Sequence, residues 1–369
     1  MSDKFTLRVM LLGGRRTGKT SILASMYNCF EKIFIDTPFI FTADNADSEE
    51  VLIEKNRELK EYFIKASKNE NFVPDDHPTL EDSTYSYFLR LRDKNESGIR
   101  IEFYDYPGEW LESTETDRYE KMLEEIKKSH ILIIVLDTPY LMEEDGLYND
   151  RRNLCDKITS KIKKSFIGTT KDSIKDKMVL LLPIKCEYLS EKGDVNKVTE
   201  SVKREYSTLI SSLKDCNCTI ALLPILTIGT ALFTDFERNS KGEVIMYENS
   251  SGRKAYPSRP LYYFSKRAKE VAKEKGLSYK YSDDPKYCEQ PLLYIVLFAI
   301  NMYIKIKEEN DNKMDWFGKI FNWFATTFLN WAKAEDFIDN KNIIEQRIKV
   351  CGDGFEIIAD PLHISNRRR

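Results

Sequence analysis

The sequence predicts an α/β fold, a three-layer sandwich in which helices cover both faces of a mostly parallel sheet. Three continuous apolar runs lie at residues 131–137, 178–183 and 219–226. Each has the composition of a strand that is buried on both faces. Charged segments with helical periodicity separate these runs. Strands that alternate with helices along a chain are typical of a parallel sheet with crossover helices.

The first strand is predicted at residues 6–12, and a glycine-rich loop follows it. The loop reads Gly13-Gly14-Arg15-Arg16-Thr17-Gly18-Lys19-Thr20, which matches the pattern G-x-x-x-x-G-K-[ST]. Residues 20–30 then have the composition of a helix. A strand, a glycine loop and a helix N-terminus in this order form a phosphate-binding P-loop, whose backbone N–H groups and helix end attract phosphate.

Each residue of this loop has an expected contact with a bound nucleotide. The predicted phosphate-binding residues are Gly13, Gly14, Arg15, Arg16, Thr17, Gly18, Lys19, Thr20 and Ser21. We expect Lys19 to reach the β- and γ-phosphates and the Thr20 hydroxyl to ligate Mg²⁺.

An insertion and a hairpin follow the first helix. The segment at about 36–78 is long for a first connection, and residues 48–63 within it predict a charged helix. Aromatic and β-branched residues at 84–92 and an alternating run at 99–105 predict two antiparallel strands joined by a turn.

The rest of the chain completes the sandwich and adds an extension. Further helices are predicted at 116–129, 151–164, 197–213 and 290–309. Residues 235–265 are rich in turn formers, and we interpret them as a surface excursion with a short hairpin around 244–247. We therefore expect one nucleotide-binding domain over 1–309 and a helical extension over 310–369.

A second motif, Asp105-Tyr106-Pro107-Gly108, ends the third predicted strand. A carboxylate at the C-terminal end of a strand can hold Mg²⁺ through water, and the N–H of the following glycine can contact a γ-phosphate. The four residues are also a common turn sequence. Their position one hairpin after a P-loop is typical of a nucleotide switch.

Together the two motifs resemble those of the Ras-like and translation-factor class of P-loop GTPases. This resemblance implies a threonine between the P-loop and Asp105 that binds Mg²⁺ and the γ-phosphate. Thr79 fits by position, and Thr84 is the alternative. The resemblance also implies GTP or GDP and Mg²⁺ as the ligands.

The resemblance places base recognition at Ile184-Lys185-Cys186-Glu187. The stem of Lys185 would lie on the base, and Glu187 would accept hydrogen bonds from guanine in place of the usual aspartate. Ile184 departs from the asparagine of the class. Guanine is expected, and adenine stays open as the alternative. Thr227-Ile228-Gly229 would form the last base-contacting loop.

Several segments are similar to one branch of that class, the bacterial double-GTPase family. They are the P-loop with Ser21, the run from Tyr104 to Glu109, the segment 185–188, and residues 289–294 at the start of the last helix. The resemblance covers residues 5–309. It implies a role in multi-gene conflict or defence systems.

Hydrolysis depends on two unusual features of the sequence. Glu109 follows the second motif, where Ras-like enzymes carry the glutamine that orients the attacking water. A glutamate can accept from that water, but its charge repels a triphosphate unless Mg²⁺ or another cation offsets it. The alternative is a structural helix cap. Arg15 and Arg16 either lie over the phosphates, where Arg15 would assist catalysis with Lys19 and Glu109, or point to solvent or a partner.

Composition limits the partners and the compartment. The chain has 57 basic and 60 acidic residues, for a net charge of −3, which argues against a nucleic-acid binder. Its seven cysteines are scattered along the chain. The sequence shows no signal peptide and no apolar run long enough to span a bilayer. We expect a cytoplasmic protein with reduced thiols.

Residues 316–331 predict an amphipathic aromatic helix with three interpretations. It packs on its own domain, docks a protein partner, or lies on a membrane, and its few lysines disfavour the membrane. The functional hypotheses are a Mg²⁺-dependent GTPase switch, a nucleotide-binding scaffold without hydrolysis, and an ATPase.

Overall fold

A computed structural model describes eleven segments of the chain. They are residues 6–29, 39–44, 46–66, 82–91, 98–113, 115–166, 177–248, 254–257, 260–308, 345–346 and 352–361. The centre of the fold is an eight-stranded sheet. From one edge to the other its strands are β2 (Phe39–Ala43), β3 (Ser83–Leu91), β4 (Gly98–Asp105), β1 (Thr6–Leu12), β5 (Ile131–Asp137), β6 (Met178–Ile184), β7 (Thr219–Leu222) and β12 (Glu356–Ala359).

The five middle strands, from β4 through β1 to β7, are parallel to their neighbours. The predicted hairpin is present, because β3 pairs antiparallel with β4, and β2 adds antiparallel to β3. Two small antiparallel pairs lie outside this sheet. They are β8 (Ala231–Phe236) with β11 (Pro260–Phe264), and β9 (Met246–Glu248) with β10 (Lys254–Pro257).

Helices cover both faces of the sheet. They are α1 (Lys19–Tyr27), α2 (Ala46–Ala66), α3 (Thr116–Lys128), α4 (Thr138–Met142), α5 (Asn149–Asn153), α6 (Cys155–Phe166), α7 (Glu187–Glu191), α8 (Val195–Glu205), α9 (Ser207–Asp215), α10 (Lys266–Glu274) and α11 (Gln290–Glu308). The predicted three-layer, mostly parallel α/β sandwich of the Ras-like type is confirmed, and the inserted helix is α2.

Two apolar cores form, one on each face of the sheet. In β1, Val9 and Leu11 belong to the core that also holds α1 and α11, whereas Met10 and Leu12 belong to the core beneath α3, α6, α8 and α9. Successive strand side chains point to opposite faces. A strand covered on both sides is therefore apolar at every position, which explains the continuous runs in the sequence.

Several predicted boundaries were wrong. The helix predicted at 151–164 is two helices, because Leu154 has the left-handed φ of 55° and interrupts them. The helix predicted at 197–213 also divides, at the buried Tyr206. The run at 219–226 is a strand only to Leu222, and Pro224 beyond it has no N–H to donate.

Two edge strands were not predicted. β2 lies inside the predicted insertion at 36–78, and β12 lies in the segment predicted as a helical extension over 310–369. β12 pairs with β7, so part of that segment belongs to the sheet. The boundary at 309 stays a prediction, and the aromatic helix at 316–331 lies outside the described residues. Within the described ranges, no helix has the length and apolar character needed to cross a bilayer.

Candidate nucleotide site

The P-loop connects β1 to α1 at the C-terminal edge of the sheet. Gly18 has a φ of 97°, a left-handed conformation that favours glycine, and it immediately precedes the first residue of α1. A Cβ at Gly18 would also lie 2.6 Å from Cδ1 of Ile184. The predicted strand, glycine loop and helix N-terminus are therefore all present, with Ser21 in the first turn of the helix.

Lys19 is buried beneath the loop that it belongs to. Its Nζ donates to the carbonyl oxygens of Gly13 at 3.2 Å and Gly14 at 3.3 Å. Burial lowers the pKa of Lys19, while the carboxylates of Asp105 and Glu109 act to raise it. A buried ammonium group gains stability when an anion binds beside it. The position suits a phosphate ligand.

Asp105 ends β4 next to the start of α1. Its Oδ2 accepts a hydrogen bond from the Thr20 hydroxyl at 2.6 Å. Its Oδ1 is buried without a hydrogen-bond partner among the described residues, and burial raises the pKa of the carboxyl. A hydroxyl and a carboxylate oxygen with an unused lone pair are ligands that Mg²⁺ prefers, so these residues fit the ion.

The number of protein ligands would be small. The described part of the chain contains no group of three or more His, Cys, Asp or Glu residues that could hold a metal by themselves. Magnesium commonly keeps waters and shares substrate phosphates instead of binding in an all-protein cage. Thr79, the third predicted ligand, lies outside the described residues. Thr84, its alternative, is exposed in β3 opposite Tyr104.

The residues from Asp105 to Glu109 are here called the switch loop, after their predicted role. They pack directly on the P-loop. The Tyr106 hydroxyl accepts a hydrogen bond from the N–H of Gly13 at 3.2 Å, and Tyr106 is fully buried. A Cβ at Gly108 would collide with the backbone of Gly14 and Arg15. A ligand that moves the P-loop must therefore also move this loop.

Glu109 and Arg15 meet at this contact. The Arg15 Nε lies 2.8 Å from Oε1 of Glu109, and the two side chains are 34% and 42% exposed. The sequence marked both residues as unusual, but for separate reasons. The guanidinium supplies the nearby positive charge that a glutamate needs beside a triphosphate. Arg16 has a left-handed φ of 58°, and its carbonyl oxygen faces α5.

The predicted base-contacting segment lies at the end of β6. Lys185 donates from Nζ to Oδ2 of the buried Asp137 at 2.8 Å. Oε1 of Glu187 accepts the N–H groups of Ile228 at 2.8 Å and Gly229 at 3.1 Å. Burial raises the pKa of Glu187, and these two N–H groups act to lower it. Glu187 thus ties the predicted base segment to the predicted last base loop.

Ile184, the departure from the class pattern, has a packing role. It is buried, and its Cδ1 lies against Gly18 of the P-loop. The chain therefore joins its base segment to its phosphate loop by an apolar contact at this position. Cys186, next but one, is also buried, and its Sγ lies 3.2 Å from Oγ1 of Thr138.

Sequence reasoning missed three residues of the site: Tyr106, Asp137 and Arg152. Asp137 was detectable, because it is a carboxylate that directly follows a buried parallel strand, as Asp105 does. Tyr106 was quoted within its motif but given no contact. Arg152 carried no signal, since it reaches the P-loop from 136 positions away.

The chain is similar to solved structures of other proteins. Among solved structures, the chain is similar to a dimerization-deficient mutant of Toc33 from Arabidopsis thaliana, at 12% identity and a TM-score of 0.32, over 69% of this chain and 81% of that one. It is also similar to the signal recognition particle receptor SRb-GTP/SRX complex from Chaetomium thermophilum, at 12% identity and a TM-score of 0.32, over 59% and 92%. No curated protein matches.

A protein-family comparison covers the phosphate loop, the switch loop and the base segment together. The family model described as Double-GTPase 2 matches residues 8–215, which is more than half of the chain. This match supports GTP binding at the site described above. The chain belongs to the double-GTPase 2 family.

Proposed function

We propose that the protein is a Mg²⁺-dependent GTPase that acts as a molecular switch. The observation that carries the proposal is the Thr20–Asp105 hydrogen bond of 2.6 Å beside the buried Lys19. A P-loop hydroxyl, a strand-end carboxylate and a buried ammonium group are together the parts that phosphoryl transfer on a P-loop requires.

Binding would use the loop and its lysine. The backbone N–H groups from Gly13 to Thr20 surround the phosphates, and Lys19 contacts the β- and γ-phosphates. Thr20 and Asp105, with Thr79 as the third candidate, would hold Mg²⁺, which neutralises charge on the phosphate oxygens when it is bound. Lys185 and Glu187 would contact the base.

Hydrolysis would depend on Glu109. Its carboxylate accepts a hydrogen bond from the attacking water and so aims the water at the γ-phosphate. The Arg15 guanidinium, 2.8 Å away, offsets the negative charge of Glu109 against the triphosphate. We therefore propose catalytic roles for Arg15, Lys19 and Glu109.

The switch would be the loop from Asp105 to Glu109. Gly108 packs on the P-loop so closely that it has no room for a Cβ. Its N–H would contact the γ-phosphate, and loss of that phosphate would release the loop. A protein partner would bind this loop or the segment at 316–331. A cytoplasmic location and a role in a bacterial conflict system complete the proposal.

A second candidate is a nucleotide-binding scaffold without hydrolysis. The Arg15–Glu109 ion pair favours it, because the guanidinium attracts the carboxylate that would otherwise orient a water. In this case bound nucleotide only stabilises a docking surface. The third hypothesis is an ATPase, and it differs from the first only in which base is bound. It is favoured by the contacts of Glu187, because the Glu187 oxygen that accepts backbone N–H groups is less available to guanine.

The test is turnover by the purified full chain. Phosphate release from GTP and from ATP is measured with Mg²⁺ and with EDTA, and nucleotide that copurifies is identified by chromatography. GTP turnover that EDTA abolishes and that Glu109→Ala lowers supports the proposal. Nucleotide binding without turnover establishes the scaffold, and faster turnover of ATP establishes the ATPase. Equal GTP binding by wild type and Lys19→Ala would contradict the whole assignment.

A further inference from the structure

The short helix α5 carries an unusual number of buried polar side chains. Asn149, Arg152 and Asn153 are 1%, 7% and 0% exposed, although the helix has only five residues. Buried polar groups are retained where they make specific hydrogen bonds. In α5 these bonds lead to the P-loop and to the end of β5.

Arg152 contacts the P-loop through both its side chain and its backbone. Its Nη2 donates to the carbonyl oxygen of Arg16 at 2.9 Å. Its own carbonyl oxygen lies against Gly14, where a Cβ would collide with it. The guanidinium carbon lies 4.9 Å from the centre of the Tyr140 ring. The Arg16 carbonyl and the Tyr140 ring therefore both hold the guanidinium group, while the backbone of Arg152 packs on the P-loop.

The bond to Arg16 controls an amide of the phosphate loop. The peptide between Arg16 and Thr17 is planar and trans, so its carbonyl and its N–H point in opposite directions. Holding the Arg16 carbonyl at Arg152 therefore directs the Thr17 N–H away from α5. Among the described residues, that N–H has one hydrogen bond, a long one of 3.4 Å to the carbonyl of Gly14. A phosphate oxygen would compete with such a bond easily.

The helix that carries Arg152 is tied to the strand beside the P-loop. The Asn153 side chain accepts the N–H of Asp137 at 2.7 Å and donates to its carbonyl at 3.2 Å. It also donates to Oδ1 of Asn149 at 2.9 Å. Because β5 neighbours β1 in the sheet, these bonds hold α5 beside the start of the P-loop.

The charge of Arg152 acts on Lys19, the lysine of the P-loop. Its proximity contributes to the lowered pKa of Lys19, after burial of the ammonium group itself. Two buried cations that repel each other are both stabilised when an anion with several charges binds between or beside them. The polyphosphate of a nucleotide is such an anion.

We propose that Arg152 is a positioning residue of the nucleotide site, which orients the P-loop through the Arg16 carbonyl and supplies a second buried positive charge for the polyphosphate. This inference rests on the proposed nucleotide binding and adds a residue from outside the three motifs. The contribution of Arg152 to binding affinity must grow with the number of phosphates on the ligand. Contacts to the base and ribose do not depend on it.

The experiment compares Arg152→Gln with wild type in equilibrium binding of fluorescent GTP, GDP and GMP. Glutamine keeps a hydrogen-bond donor but removes the charge. We expect GTP affinity to fall about ten- to a hundredfold, the effect of losing a hydrogen bond from a charged group, and GMP affinity to change much less. The thermal stability of the ligand-free protein is measured in parallel. Arg151→Gln is the matched control, because Arg151 is exposed on the same helix.

Two results would overturn the inference: unchanged GTP affinity in Arg152→Gln, or equal losses for GTP and GMP. If Arg152→Gln does not fold, Arg152→Lys replaces it. Lysine keeps the charge but loses the planar set of donors, so the fall in GTP affinity should be smaller, about three- to tenfold, and GMP affinity should again change much less. A wild-type protein that binds none of the three nucleotides would instead contradict the proposed function.

Discussion

The Thr20 hydroxyl donates a 2.6 Å hydrogen bond to Oδ2 of Asp105, and this bond joins the P-loop to the end of β4. The second carboxylate oxygen of Asp105 is buried with no hydrogen-bond partner in the described part of the chain. An ionised carboxylate that lacks donors lowers the stability of a folded protein unless a cation binds it. If Mg²⁺ binds at this pair as proposed, it would offset this loss of stability.

Asp105→Asn should stabilise the ligand-free protein. Burial raises the pKa of Asp105, so the folded state binds this proton more tightly than the unfolded state. The contribution of Asp105 to the free energy of unfolding then falls as the pH rises from about 4 through the raised pKa. We expect Asp105→Asn to have a higher Tm than wild type at pH 7, and a smaller loss of Tm between pH 4 and 7.

The same variant should lose its response to Mg²⁺. Wild-type protein with nucleotide should gain Tm when Mg²⁺ is added, because a ligand that binds only the folded state stabilises it. Asp105→Asn should gain much less. Thr20→Ser, which keeps the hydroxyl, is the control and should respond as wild type does. A full Mg²⁺ response in Asp105→Asn would show that this carboxylate is not a ligand.

Lys19→Ala should abolish tight binding of triphosphate. The ammonium group is buried against the P-loop carbonyls, where it would lie beside the phosphates. We expect a loss of GTP affinity of at least about a hundredfold, or about 2.7 kcal/mol, by fluorescence titration. Lys65→Ala, whose side chain is 78% exposed on α2, is the control and should bind normally.

Glu109→Ala should affect turnover more than binding. General-base assistance contributes about a hundred- to ten-thousandfold to a rate, so kcat should fall substantially while GTP affinity changes by less than about threefold. The ion pair with Arg15 is partly exposed, and its loss should change the free energy of unfolding by less than about 1 kcal/mol. Unchanged kcat in Glu109→Ala would remove this residue from the mechanism.

Gly108→Ala should uncouple the switch loop from the P-loop. The added methyl group would collide with the backbone of Gly14 and Arg15, which cannot move as a side chain can. We expect nucleotide still to bind, with turnover reduced at least about tenfold because the loop cannot close. In Gly108→Ala the rate of cleavage in limited proteolysis should be the same with and without GTP. Gly242→Ala is the control for backbone strain, since Gly242 has a left-handed φ of 79° but a Cβ there meets no atom within 4 Å. It should lose some stability and keep its turnover.

Glu187→Ala should weaken base discrimination and stability together. The part-buried N–H groups of Ile228 and Gly229 lose their acceptor, at a cost of up to about 1–3 kcal/mol for each group that water does not reach. We expect a lower Tm and a smaller ratio of GTP to ATP affinity. Glu191→Ala, at an exposed position of the same helix, should change neither. A preserved GTP preference would place base recognition elsewhere.

The motif residues of the site could be predicted from the sequence because each motif is a local pattern. The P-loop needs its glycines at fixed spacing, and Asp105 must end a strand one hairpin later. The edge strands β2 and β12 could not be predicted in the same way. Short strands that pair on one side only have weak apolar periodicity, and their partners lie far away in sequence.

The resemblance to a known GTPase class indicated the predicted base segment. By itself the sequence determined the α/β class, the phosphate loop and the strand-end aspartate. These follow from short-range rules of burial and backbone geometry. Only the tertiary structure decided that Arg15 pairs with Glu109, that Ile184 packs on Gly18, and that Arg152 holds the P-loop. Such contacts depend on how strands are ordered in the sheet, which brings together residues that no spacing along the chain connects.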